Sequence, residues 1–173
     1  MTTLETTPDP ASSRAGLSFP PGTLVVLVGI PGAGKSTFAS QYPHTWQVSL
    51  DTFREMASDS AENQAATPVA VQAQNLFLNA RLADGKTTIV DSTNVVPSHR
   101  QDLLAIAERW AAPSAAVLFD VPLAVAEAQN SSRTRKVRTE VLRSMHQQLP
   151  DVQQLRLEGF RHVYRLGPAE PPQ

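Results

Sequence analysis

The chain has 173 residues, a net charge of −1 and an apolar fraction of 41%, which suits one domain with a buried core. It contains no cysteine, which excludes disulfides, thiolate metal sites, iron–sulfur clusters and cysteine nucleophiles. Because the charge is close to zero, no overall field attracts nucleic acid, and any polyanion must bind at a local patch.

Both ends of the chain are rich in proline and small polar residues. Residues 1–22 and 167–173 have few large apolar groups, so we expect flexible tails there, with one domain at residues 23–166. The N-terminus lacks the basic and apolar regions of a secretory signal. The longest apolar stretch, residues 24–30, is too short to span a bilayer. We therefore expect a cytoplasmic protein without a membrane segment.

Between these ends, continuous apolar runs alternate with segments of helical spacing. The runs are typical of buried parallel strands and lie at residues 23–29, 46–50, 87–91, 115–121 and 162–166. The helical segments lie at residues 36–41, 68–82, 98–110, 123–130 and 137–149. This alternation predicts an α/β fold with a parallel sheet flanked by helices, and ligands then bind at the carboxyl ends of the strands.

The first strand leads into a glycine-rich loop of the form GxxxxGK[ST]. Its residues are Gly29, Ile30, Pro31, Gly32, Ala33, Gly34, Lys35, Ser36 and Thr37. In such a loop the backbone N–H groups and the start of the next helix surround a phosphate. Lys35 reaches the β- and γ-phosphates, and the Ser36 hydroxyl can ligate Mg²⁺. The loop therefore predicts binding of ATP or another NTP, without telling whether phosphate is transferred or hydrolysed.

An acidic and a basic residue follow the second strand. Asp51 is expected where that strand ends, and Arg54 lies three residues later on the same side of a first helical turn. Phosphoryl transfer needs a group that takes the proton of the attacking hydroxyl and a cation for the moving phosphate, and this pair supplies both. The alternative interpretation is an N-capping aspartate with an exposed arginine.

The third strand leads from apolar residues into Asp91, as in a Walker B segment, whose carboxylate helps to hold Mg²⁺. We therefore predict a metal site formed by Ser36 and Asp91. Alternatively, Asp91 and Asn94 only cap a turn before Pro97. Arg100, on the next helix, faces either the nucleotide or the solvent, and its spacing favours neither.

The densest positive charge lies at residues 131–146, which carry five lysines and arginines against one glutamate. This segment has a net charge of +4, which leaves −5 on the remainder of the chain. Arginines on a mobile segment above a phosphate-binding loop can close onto phosphates and shield them from water, so we predict a lid. The alternative is a solvated basic helix face.

Taken in order, these motifs resemble the small P-loop kinases of the polynucleotide 5′-kinase type, such as the kinase module of polynucleotide kinase–phosphatase enzymes. The resemblance covers residues 23–166 and is carried by GIPGAGKSTFA, SLDTFRE, TTIVDSTNV and FDVPLAVAEAQNSSRTRKV. It implies a parallel sheet of order 2-3-1-4-5 with an arginine-rich lid. The lid sequence Arg-Thr-Arg-Lys-Val is one residue shorter than the usual spacing in that family.

The resemblance also implies a reaction, in which the γ-phosphate of ATP or another NTP passes, with Mg²⁺, to the 5′-hydroxyl end of DNA or RNA. It implies that Asp51 is the general base and that Arg54 contacts the 3′-phosphate of the acceptor. Lys35 and a lid arginine, here Arg133 or Arg135, would stabilise the transferred phosphoryl group. A kinase for a nucleoside, a nucleotide sugar or an antibiotic, and an NTP-dependent switch, are the alternative functions.

Overall fold

The computed structural model describes residues 16–167. The strands are β1 (Leu24–Val28), β2 (Gln47–Val48), β3 (Thr88–Val90), β4 (Ser114–Phe119) and β5 (His162–Leu166). They form one five-stranded sheet in the order β2-β3-β1-β4-β5, and every neighbouring pair is parallel. The predicted α/β class, the parallel sheet and its strand order are confirmed.

Helices connect the strands within the described part of the chain. They are α1 (Lys35–Ala39), α2 (Leu50–Ser58), α3 (Thr67–Ala83), α4 (Pro97–Arg109), α5 (Leu123–Ser131), α6 (Thr139–Gln147) and α7 (Val152–Glu158). Short 3-10 turns lie at His44–Trp46 and Gln64–Ala66. Among residues 16–167, none of these helices is long and apolar enough to cross a membrane.

The helices cover both faces of the sheet, which gives three layers. Side chains of α3, α4 and α7 form one core cluster with the sheet, and side chains of α1, α5 and α6 form the other. The central strand β1 is fully buried along its whole length. Because both of its faces are covered, its sequence is continuously apolar rather than alternating.

The second strand is shorter than the sequence predicts. β2 contains only Gln47–Val48, because Ser49 is the N-cap of α2 and the helix begins at Leu50. Asp51 therefore lies in the first turn of α2, three residues beyond the strand and not at its end. This turn still lies at the carboxyl edge of the sheet, so the aspartate remains on the side where ligands bind.

The helix α7 is absent from the sequence-based prediction. Asp151 is its N-cap and accepts a hydrogen bond from the backbone N–H of Gln154 (2.7 Å), and Gly159 ends the helix at φ 112°. Only Leu155 among its residues is buried. A helix of two turns with a single buried residue has no apolar periodicity to detect.

Parts of both predicted tails, residues 1–15 and 168–173, lie outside the described residues. In residues 16–22, Leu17 and Phe19 pack against the core, and the Leu17 carbonyl accepts a hydrogen bond from the Tyr42 hydroxyl (2.7 Å). The Phe19 ring also contacts the rings of Tyr42 and Tyr164. The packed part of the chain therefore begins before residue 23.

Candidate active site

The phosphate-binding loop joins β1 to α1 at the carboxyl edge of the sheet. Gly32 and Gly34 have φ angles of 82° and 91°, in the left-handed region that glycine adopts without strain. The backbone N–H of Gly29 donates a hydrogen bond to the carbonyl of Thr93 (2.9 Å). This bond ties the start of the loop to the segment that follows β3.

Two glycines of the loop also allow close contact with neighbouring elements. A Cβ atom on Gly32 would lie 2.7 Å from the carbonyl oxygen of Ala126 and 3.3 Å from the backbone nitrogen of Asn130. A Cβ atom on Gly29 would lie 2.9 Å from the Cβ of Phe119. The loop is therefore in direct contact with the backbone of α5 and with the Phe119 side chain of β4, and a side chain at either glycine would displace the loop.

A cavity of about 220 Å³ lies over the loop. It is lined by Pro31, Gly32, Gly34, Lys35, Ser36 and Thr37 of the loop and by Gln129 and Arg133 on the other side. The other predicted nucleotide-binding residues, Gly29, Ile30 and Ala33, are buried beneath it. Pockets that enclose a whole small ligand measure roughly 300–1,000 Å³, so this one has the size of the phosphate end of a nucleotide.

Lys35 is the buried cation of the cavity. Its Nζ donates a hydrogen bond to the carbonyl of Ile30 (2.9 Å). The pKa of Lys35 lies at about 8, below its ordinary value of 10.5, mainly because burial disfavours the charged form. The charge of Asp91 opposes this shift, that of Arg133 adds to it, and that of Asp51 also opposes it. An anion that enters the cavity therefore stabilises the charged form of Lys35.

Asp51 is paired with two arginines. Its Oδ1 accepts a hydrogen bond from Nη2 of Arg54, and its Oδ2 accepts one from Nη1 of Arg135 (2.7 Å). Arg54 is buried, and its Nε donates to the carbonyl of Ala61 (2.8 Å). Arg135 also approaches Glu62, with 3.8 Å between Nε and Oε1. The structure thus brings the predicted base and two of the predicted arginines together.

The lid loop, residues 132–138 between α5 and α6, carries the two predicted lid arginines to different places. Arg133 lines the cavity over the phosphate-binding loop, whereas Arg135 reaches Asp51. The buried side-chain amide of Asn130 accepts a hydrogen bond from the N–H of Val137 (3.0 Å) and donates one to its carbonyl (2.8 Å). This amide ties the two ends of the lid loop together.

The two predicted metal ligands lie on different elements. Ser36 is exposed in the cavity, and Asp91, partly buried directly after β3, is near enough to Lys35 to raise its pKa. Residues 16–167 hold no cluster of three histidine, aspartate or glutamate side chains that would bind a metal by itself. Mg²⁺ in phosphate-transferring sites takes one or two carboxylates and completes its shell with phosphates and water, so this hydroxyl and carboxylate fit a nucleotide-bound ion.

Arg100 faces neither the nucleotide cavity nor the solvent. Its guanidinium is fully buried and donates two hydrogen bonds to Glu158, from Nε (2.7 Å) and Nη2 (2.6 Å). Its Nη1 donates to the carbonyl of Asn94 (2.8 Å), whose own Nδ2 donates to the carbonyl of Leu27 (2.7 Å). This network holds the segment after β3, which begins with Asp91, against β1.

Three residues at or near the site are not among the predicted site residues. Gln129 lines the cavity, Glu62 approaches Arg135, and Glu158 holds Arg100. Gln129 precedes the predicted lid but is uncharged, and the two glutamates belong to no motif. Each acts through a contact between distant segments of the chain, which spacing along one segment does not reveal.

Comparison with known proteins places this geometry in a family. The AAA domain family matches residues 24–152. The chain belongs to this family. Among curated proteins, this AAA domain is similar to L-seryl-tRNA(Sec) kinase of Methanococcus maripaludis, with 26% identity over 132 residues, which are 72% of this chain and 51% of that protein. The chain thus spans about half the length of this relative.

Solved structures share the fold of this AAA domain. One is a chain of the Pnkp1/Rnl/Hen1 RNA repair complex, with a TM-score of 0.65 and 24% identity, over 80% of this chain and 47% of that chain. Another is a gluconokinase from Sinorhizobium meliloti, with a TM-score of 0.54 and 19% identity, over 87% of this chain and 85% of that chain. The fold is that of the P-loop kinases.

Proposed function

We propose that this AAA domain is a kinase that transfers the γ-phosphate of ATP, or of another NTP, to the 5′-hydroxyl end of DNA or RNA. The observation that carries the proposal is the pairing of Asp51 with Arg54 and Arg135 at the same sheet edge as the phosphate-binding loop. A domain that only binds or hydrolyses a nucleotide needs no such second set of charged groups beside the loop.

The donor nucleotide binds in the cavity over the loop. Lys35 and Arg133 contact the β- and γ-phosphates, and the loop N–H groups surround the phosphates closer to the sugar. Ser36 and Asp91 would hold Mg²⁺, which when bound neutralises phosphate charge and orients the γ-phosphoryl group. The protein thereby supplies positioning and positive charge, which are the main requirements of phosphoryl transfer.

The acceptor hydroxyl approaches from the side of α2. Its oxygen forms a bond to the γ-phosphorus, and the bond from that phosphorus to the bridging oxygen breaks, with the electron pair leaving on ADP. The hydroxyl proton moves to a carboxylate oxygen of Asp51. Arg54, held by the carbonyl of Ala61, orients Asp51 and contacts the 3′-phosphate of the acceptor.

Two features support a nucleic-acid acceptor. The basic segment at residues 131–146 carries a net charge of +4 on an otherwise acidic chain, which gives a local patch for a polyanion. Two similar proteins also have names that refer to RNA, a seryl-tRNA kinase and a chain of an RNA repair complex.

A kinase for a small molecule, such as a nucleoside, a nucleotide sugar or an antibiotic, is the second candidate. It is favoured by the aromatic residues, because several of the rings that the structure describes contact one another instead of standing alone as platforms for bases. Contacting pairs include Phe38 with Tyr42, Tyr42 with Trp46, and Phe53 with Phe77. The gluconokinase also matches this domain over most of both chains.

The test is the transfer of labelled γ-phosphate from ATP with Mg²⁺ to DNA and RNA oligonucleotides that end in a 5′-hydroxyl or a 5′-phosphate, with nucleosides and sugars in parallel. We expect label on 5′-hydroxyl ends alone. Label on a small molecule alone would contradict the nucleic-acid acceptor and select the second candidate. Absence of label on every acceptor, with ATP still bound, would contradict the kinase. Arg109→Ala is the matched control and should transfer label as the wild-type protein does. Arg109 is the last residue of α4 and lies at the edge of the sheet opposite the phosphate-binding loop.

A further inference from the structure

The helix α3 carries an apolar stripe on the face that points away from the sheet. Val69, Ala73, Leu76 and Ala80 recur at alternating spacings of four and three residues, a pattern that predicts a buried helix face. The structure buries a different stripe of α3, which consists of Ala70, Gln74, Leu78 and Leu82. The face with the regular apolar spacing is therefore turned outward.

The large side chains of this outer face are exposed. Leu76 is 70% exposed, Val69 is 56% exposed, and Phe77 is 51% exposed. The ring of Phe77 contacts the ring of Phe53 on α2, with 5.4 Å between the centroids, and Met56, one turn further along α2, is 76% exposed. We call this surface the α3 patch, and it consists of Met56, Val69, Ala73, Leu76, Phe77 and Ala80.

The α3 patch carries no charge. The single charged residue of α3 is Arg81, whose guanidinium donates to Oγ1 of Thr88 (3.0 Å) and to the carbonyl of Thr87 (2.8 Å), on the side of the helix that faces β3. The outer face of a surface helix is normally polar or charged, and a contiguous exposed apolar patch marks an interaction surface. The surface that covers it is therefore itself apolar and uncharged.

We infer that the α3 patch binds a second copy of this chain, with the two α3 helices antiparallel. In this orientation Leu76 of each copy lies opposite Ala73 of the other, and Val69 of each copy lies opposite Ala80 of the other. Every layer of the contact then sets a large side chain against an alanine, so the layers are filled evenly. Because the net charge of the chain is only −1, two copies repel each other little.

A parallel pair of α3 helices would fit less well. In a parallel pair each residue faces its own counterpart, so a layer with two leucines would alternate with a layer that holds only two alanines. The large layers would hold the helices apart, and the alanine layers would then leave gaps. The order of large and small residues along α3 thus favours the antiparallel orientation.

The size of the α3 patch indicates the strength of the dimer. The exposed parts of its four large side chains amount to roughly 500 Å² per copy, which lies within the range of functional surface patches. Two copies would therefore bury roughly 1,000 Å², near the lower limit for a specific interface. We therefore expect a reversible dimer with a dissociation constant in the micromolar range.

The dimer does not depend on the proposed kinase activity, because α3 contributes no residue to the cavity over the phosphate-binding loop. A protein that dimerises but transfers no phosphate would refute the kinase and still support the dimer. The same face is used on both copies, so the contact closes at two copies and cannot extend into a chain of molecules.

Sedimentation equilibrium of the full chain tests the dimer. We expect the mass to rise with concentration from 18.7 kDa to twice that value and no further. Leu76→Glu should raise the dissociation constant by about 100-fold or more, because each dimer would then bury two unpaired carboxylates. The matched control is Leu157→Glu, which should leave the dissociation constant unchanged, because Leu157 is 82% exposed on α7 and lies outside the α3 patch.

Two results of this measurement would overturn the inference. One is a wild-type protein that stays monomeric up to about 1 mM, since association weaker than this is not specific. The other is a dimer that Leu76→Glu does not weaken, because a different surface would then form it. Both variants should bind ATP as the wild-type protein does, which shows that the change at position 76 acts on the dimer alone.

Cysteine cross-linking tests the orientation of the two helices, because the chain has no cysteine of its own. Val69→Cys and Ala80→Cys proteins are oxidised with diamide, first separately and then as a mixture. We expect a disulfide-linked dimer in the mixture alone, since a disulfide requires the two Cβ atoms to lie about 4 Å apart. A dimer that is cross-linked in Val69→Cys alone, or a mixture without cross-linked dimer, would overturn the antiparallel arrangement.

Discussion

The depressed pKa of Lys35 makes ATP binding depend on pH. Burial disfavours the charged lysine in the free protein and lowers its pKa to about 8. The phosphates of bound ATP favour the charged form, so binding raises the pKa again. Above pH 8 the free protein must take up a proton to bind ATP, and we expect the affinity for ATP to decrease as the pH rises from 7 to 9.

The size of the effect follows from the pKa. With a pKa of about 8, Lys35 is roughly 90% protonated at pH 7 and roughly 10% protonated at pH 9. The dissociation constant for ATP should therefore increase by about tenfold over this range, or about 1.4 kcal/mol. Proton uptake on binding should rise from about 0.1 to about 0.9 per ATP.

Isothermal titration calorimetry measures both quantities, because the proton uptake appears as a difference in binding enthalpy between buffers of different ionisation enthalpy. Lys35→Met should bind ATP weakly at every pH and show no change in proton uptake between pH 7 and 9. In Arg133→Ala the midpoint should move above pH 8, since the charge of Arg133 lowers the pKa of Lys35. A wild-type affinity and proton uptake that do not change between pH 7 and 9 would contradict a lowered pKa of Lys35 in the free protein.

Three further substitutions test other parts of the structure. Gly32→Ala places a Cβ atom 2.7 Å from the Ala126 carbonyl at φ 82°, so titration with ATP should show lost binding, while urea unfolding should show a loss of about 1–2 kcal/mol. Glu158→Gln leaves the charge of Arg100 buried without its partner, and should lower the free energy of unfolding by about 3–5 kcal/mol; a loss under about 1 kcal/mol would contradict this. Asn130→Ala releases the ends of the lid loop, so trypsin should cleave the loop faster than in the wild-type protein, and equal rates would count against that role.

Much of the fold is visible in the sequence, because the sheet is covered on both faces. Each predicted strand overlaps a strand of the structure, and the phosphate-binding loop follows β1 as its pattern requires. Continuous burial gives a continuous apolar run, which is a strong local signal. The order of the strands came from the resemblance to a kinase family, since no local pattern specifies which strands pair.

The contacts between distant segments were not predictable from spacing. Arg100 has a neighbour, Glu158, that lies 58 residues away on a helix too short to show periodicity. Arg135 contacts Asp51 across 84 residues, although Arg133 and Arg135 have the same charge and similar sequence surroundings. Which arginine faces the nucleotide depends on how the loop is closed by Asn130, and this closure exists only in the folded chain.

The role of Asp51 as the general base is tested by the rate of phosphoryl transfer in a single turnover, measured by rapid quench with labelled ATP and a 5′-hydroxyl oligonucleotide. In Asp51→Asn the shape of the side chain is kept but the proton acceptor is lost. We expect this rate to fall by about 100- to 10,000-fold while the dissociation constant for ATP stays within about threefold of the wild-type value. A variant that transfers phosphate at the wild-type rate would contradict the assignment of Asp51 as the base.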